Sequence, residues 1–219
     1  MFEDYGFDAL ERELQDDAEG ENLYIHFLDY LVYLVSGEYG GGARLEDLEE
    51  ILRRSGSKWT VGTRAGNAGL EDRVSDGVRE AAESAMALPG HAGELLAKAW
   101  HAAFGVSPNP VSAYTNAVLA VEAATVPVVI PSDRTATLGK VFTVMRDQSG
   151  WGLDIKKQHA DFPADAVILG MVQMLWAGQG RHAGQPDWAP NTQAEAEAAV
   201  LLAVPLVQWF ASGAIKRRV

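Results

Sequence analysis

Apolar residues recur at helical spacing in almost every segment between Asn22 and Gly213, and no stretch alternates apolar and polar residues for long enough to build a sheet. That periodicity points to an all-α, multi-helix bundle. In "NLYIHFLDYLVYLVSG", Phe27, Leu28, Leu31, Val32 and Val35 share one stripe, and Gly37 ends it. "GEYGGGA" reads as a flexible connector, and "RLEDLEEILRRSG" as a short helix stopped at Gly56. Residues 56–69 read as a Gly-rich ordered loop around Trp59, with at most a short extended piece. "LEDRVSDGVREAAESAMALPG" and "AGELLAKAWHAAFG" are the next two predicted helices.

The helix signals are clearest in the C-terminal half. Asn109 is a natural N-cap and Pro110 takes the first turn, where its missing N–H costs nothing. Val111, Tyr114, Val118 and Val121 keep helical spacing up to Pro127, which is expected to end the run. Leu138, Val141, Phe142 and Met145 form the next stripe, and Ile168, Met171, Val172 and Leu175 repeat it. Thr192 and Glu195 open the last helix as a capping box, with a kink expected at Pro205 and an end near Gly213. "VPVVIP" is the only β-rich stretch. The break at "GVSPN" divides the chain into an N-terminal helical region, residues 1–105, and a four-helix half, residues 106–219.

Composition narrows the functional classes. A net charge of −12 repels phosphate backbones at long range, so nucleic-acid binding requires a local basic patch. The two basic groups, Arg53, Arg54, Lys58 and Arg64, and the tail Lys216, Arg217 and Arg218, read as solvated surface or helix-end charges. Cysteine is absent, which excludes disulfides and thiolate metal sites; the acidic N-terminus has no apolar core of the signal-peptide kind. Both point to a cytoplasmic protein. Glu, Asp or Pro interrupts the apolar stretches before the ~20 residues of a spanning helix, so no membrane association is expected.

Most local motifs carry no chemistry. "RTATLGK" ends like a phosphate-binding loop but has Arg134 where the first glycine is required, and "GEYGGG" lacks a strand before it, so no nucleotide cofactor is expected. His26, His91, His101, His159 and His182 show no i, i+4 pair. His159, Asp161 and Asp165 are a weak set on a turn, and no metal is expected. The carboxylates of "EDLEE" read as solvated charge, and Trp176, Trp188 and Trp209 as core and loop anchors.

"WAGQGRHAGQPDWAP", residues 176–190, is the exception. Arg181 and His182 stand among glycines that allow close backbone approach. Histidine can act as acid or base near neutral pH, and arginine can neutralise charge on a transferring phosphate. That pair suffices for metal-independent RNA cleavage, in which the 2′-hydroxyl is the nucleophile. Gln179 and Arg146 are further candidate RNA contacts. His182 can equally cap a helix end or bond a carbonyl in a tight loop.

From about Ser112 to Ile215 the chain resembles HEPN-type helical domains, especially the C-terminal domains of abortive-infection proteins. The resemblance rests on "YTNAVLAVEAATVPVVIP" with its embedded Glu122, the following "TATLGKVFTVM", the His-x-Gly turn in "GQGRHAG", and the last helix opening at "TQAEAEAAV". The whole chain also looks like proteins common in actinobacteria and their phages. The resemblance implies a four-helix fold, a homodimer and His182 as the nuclease histidine. The family's arginine stands four to six residues before that histidine, where this chain has Gly178, Ala177 and Trp176. Many such domains have lost catalysis, so the favoured reading is a non-catalytic interaction or dimerising module in phage–host conflict, with a protein or RNA partner. The alternative is an endoribonuclease acting through His182.

Overall fold

The computed structural model of the chain describes residues 23–38, 40–64, 66–180 and 189–218. It is mostly helical. Two compact units emerge: the first runs to Arg73 and takes in Phe104–Val106, and the second holds Val74–Ala103 and the chain from Ser107 onward. The "GVSPN" break is where the chain returns from the first unit to the second.

In the first unit α1 (Leu23–Ser36) and α2 (Gly41–Arg54) pack together and against an antiparallel hairpin of β1 (Trp59–Arg64) and β2 (Asn67–Asp72). The hairpin corrects the expectation of a loop over 56–69. Arg64 pairs with Asn67, so the connection is two residues long, and Gly66 adopts φ +85° there. Glycines that suggested a loop serve the sheet instead. Gly62 faces Gly69 across the ladder, and the Glu71 carboxyl group lies where a side chain on Gly62 would stand.

Two neighbouring expectations change with it. Gly41 and Gly42, read as connector, form the first turn of α2. The helix expected from Leu70 begins at Asp76, behind Ser75, because Leu70–Asp72 belong to β2.

The second unit contains α3 (Asp76–Met86), α4 (His91–Phe104, all but its last residue), α5 (Pro110–Val129), α6 (Leu138–Gln148), α7 (Ala164–Ala177) and α8 (Gln193–Ala211). Its main contact is between α5 and α8. Ala113, Ala117, Ala120 and Ala124 on α5, and Ala196, Ala199 and Ala203 on α8, are all buried. Such small side chains let two helix axes approach towards the lower end of the usual 8–10 Å. α5 also meets α6, α6 meets α7, and α7 and α3 meet α8.

The predicted caps are present. The Asn109 side chain accepts the Ser112 N–H at 2.9 Å, and Thr192 and Glu195 form the reciprocal capping box. Glu122, midway along α5, accepts the Leu138 N–H at 2.6 Å and so anchors the start of α6 with a carboxylate at its positive end. Pro127 does not end α5. It falls within the last turn, where the Ile130 N–H still reaches the Val126 carbonyl, and "VPVVIP" is therefore largely helical.

A second pair of strands, β3 (Trp151–Leu153) and β4 (Ile215–Arg217), was not expected from the sequence. Each has three residues, too short to show a period, and they meet across some sixty residues of chain. By length and composition alone α5 and α8 are apolar enough to cross a membrane, although interruptions in the sequence argued otherwise; about half of each is buried within the protein.

Candidate functional site

Arg181, His182 and Trp188 lie outside the described residues. Asn191 donates from its amide nitrogen to the Gly178 carbonyl (2.9 Å) and accepts the Gly180 N–H (3.2 Å), so one side chain ties the end of α7 to the start of α8. Gly178 lies against the Tyr114 hydroxyl, with no room for a side chain. Burial, and then the nearby charge of Glu195, push the Tyr114 phenol above its ordinary pKa. Hydrogen bonds from the Thr192 N–H and hydroxyl hold the Glu195 carboxyl below the usual carboxylate range.

The other nominated RNA contacts are not brought into a common cleft by any contact in the described structure. Arg146 lies in the last turn of α6, exposed, with its Nε on Asp147 (3.0 Å) and its guanidinium 5.7 Å from the Phe142 ring centre. Gln179 is half-buried in the turn after α7.

Five members of the two basic groups are engaged by acids or carbonyls. Arg53 and Arg54 share Glu50, Lys58 lies 3.7 Å from Asp72 and above the Trp59 ring, and Arg217 donates to the Gln148 carbonyl. Arg218 binds Asp154 (3.1 Å) and the Leu153 carbonyl. Arg64 belongs to β1.

Of the weak metal set, Asp161 sits beside His159 (3.7 Å), whereas Asp165 accepts the Gly150 and Ala166 N–H groups. No three His, Asp or Glu side chains converge among the described residues. The "EDLEE" reading also needs correcting. Glu49 is a partly buried clamp that pairs with Arg73 (2.7 Å) and accepts from Thr60 Oγ1 and the Val61 N–H, both at 2.9 Å. Burial opposes ionisation of Glu49, but these hydrogen bonds outweigh it and lower its pKa.

A concave site appears where none was nominated. A cavity of about 230 Å³ opens between the 154–163 loop, α7 and the end of α8. Ile155, Phe162, Val167, Ile168, Met171 and Trp209 make its walls, and Lys157 and His159 stand among them. Phe162 is 69% exposed and Ile155 50% exposed, so the site presents large apolar side chains to water. The loop is held from within: Gln158 donates to the Ile155 carbonyl (2.7 Å) and accepts the Ala164 N–H (2.9 Å). The sequence signal was present in "IKKQHADF", where Ile155 and Phe162 bracket a polar run outside any helical stripe.

Trp209 thus lines a pocket rather than filling the core, while Trp176 packs its indole onto Gly139. The first unit carries its own apolar surface. The only formal charge of α1, Asp29, is buried and accepts the Leu70 N–H (2.7 Å), whereas Tyr30, Leu31, Tyr33 and Leu34 face water.

No family model, curated protein or solved structure matches the chain.

Proposed function

We propose that the chain is a non-catalytic protein-interaction module. The observation that carries this reading is the pocket beside Trp209, whose exposed Ile155 and Phe162 leave apolar surface for a partner to cover. Buried aromatic and aliphatic anchors in such pockets supply most of the affinity of protein interfaces. The outward-facing Tyr30, Leu31, Tyr33 and Leu34 of α1 offer a second surface of the same kind. The HEPN-type resemblance adds homodimerisation, a cytoplasmic setting and phage–host conflict to this reading. The successive contacts α5–α6, α6–α7, α7–α8 and α8–α5 support its four-helix element.

The test is selection of binders from a displayed random twelve-residue peptide library against the wild-type protein and Phe162→Asp. A consensus with one bulky apolar anchor, lost by at least tenfold in Phe162→Asp, is expected. Since Phe162 is exposed, circular dichroism of the variant should match wild type. Enrichment that ignores Phe162→Asp would remove the pocket from the interaction.

One observation favours a second reading, the endoribonuclease. Asn191 ties together the two described flanks of the segment whose sequence carries Arg181 and His182. RNA cleavage in EDTA by the purified protein, abolished in His182→Ala and in Arg181→Ala, would establish it and displace the non-catalytic reading.

A further inference from the structure

We infer that the pocket beside Trp209 takes a bulky apolar side chain from a partner segment whose neighbouring residues are acidic. This rests on the interaction-module reading and adds the chemistry of the partner.

Size sets the first part. A cavity of about 230 Å³ falls below the roughly 300–1,000 Å³ of sites that enclose a whole small ligand, and it suits a single large side chain. Its walls, Ile155, Phe162, Val167, Met171 and Trp209, offer that side chain apolar contact on several sides.

Charge sets the second part. Lys157 lines the pocket, Lys156 precedes it, and neither has an ion-pair partner among the described residues. None of the carboxylates nearby lines the pocket. Asp154 pairs with Arg218, Asp165 accepts two backbone N–H groups, and Asp161 lies beside His159. A rim whose one lysine or acidic side chain is Lys157, on a chain of net charge −12, is the reverse of what the molecule presents on average. It attracts carboxylates only within about a Debye length, roughly 8 Å at physiological ionic strength. The acids must therefore flank the anchor closely, and the rest of the acidic surface disfavours polyanions that approach elsewhere.

The experiment is a displayed peptide library with a fixed central Phe and all flanking positions random, selected on the wild-type protein, Lys157→Glu and Phe162→Ala. Enrichment of Asp and Glu within two or three residues of the Phe is expected on wild type. The best peptide, synthesised with a fluorescein label, should bind at least tenfold more weakly to Lys157→Glu and at least tenfold more weakly when its Phe is replaced by Ala. Raising salt from 50 to 500 mM should weaken it several-fold on wild type but not on Lys157→Glu. Enriched peptides with neutral or basic flanks, or a best peptide indifferent to Lys157→Glu, would overturn the acidic class and leave the apolar docking site standing. No enrichment over the unselected library on wild type would overturn both.

Discussion

Gly41 and Gly42 are neighbours with opposite requirements. A side chain on Gly41 would collide with the Val35 carbonyl oxygen, whereas one on Gly42 would meet nothing within 4 Å. Backbone cannot swing aside as a side-chain tip can. Gly41→Ala is therefore expected to destabilise the protein by about 1–3 kcal/mol. Gly42→Ala, which only reduces the freedom of the unfolded chain, should stabilise it by about 0.4–1 kcal/mol. Urea denaturation of the two variants checks the sign difference; equal effects would refute the steric assignment. "GGG" looks uniform in the sequence, and only the return of the chain past Val35 distinguishes its members.

Two devices fix whole elements. The Thr192–Glu195 capping box starts α8, and Thr192→Ala should cost about 1 kcal/mol in a thermal or urea melt, the usual worth of an N-cap hydroxyl. The box was legible because its four residues are contiguous. Glu49 is the opposite case. It ties α2 to the hairpin through Arg73, Thr60 and Val61, contacts eleven to twenty-four residues away in the chain. Glu49→Ala leaves the Val61 N–H and Arg73 Nη1 without their acceptor, while Arg73 still donates to the Ser57 and Trp59 carbonyls. About 1–2 kcal/mol should be lost, the lower end reflecting the quarter of these side chains that water still reaches. Faster hydrogen exchange at Val61 would accompany it. Unchanged exchange there would mean that the clamp does not hold β1.

Across the whole molecule, several carboxylates titrate below their ordinary values. Asp133, hydrogen-bonded by Lys140 and Thr135, is lowered to about 2, and Glu49 and Glu195 are lowered as well. A depressed folded pKa adds stability that is complete above the unfolded value, near 4, and disappears as pH falls through the folded one. Tyr114 has the opposite sign: its raised pKa adds stability below pH 10 that is lost as pH climbs further. The Tm followed by circular dichroism should therefore fall between about pH 4 and 2 and again above about pH 10. A Tm independent of pH from 5 to 2 would contradict the first expectation. By itself the sequence determined the helical class, most of the stripe residues buried on α5, α6 and α7, and the caps at Asn109 and Thr192, whereas the α1 stripe leaves Leu31 exposed and buries only Val32. Each of these depends on residues within a turn or two of one another. Tertiary structure alone decided that Trp59–Asp72 is a hairpin and that Trp209 lines a pocket with Phe162. The hairpin is held by Glu49 and Asp29 from two helices earlier in the chain, and the pocket joins a loop to α7 and α8, so local spacing carries no record of such partners.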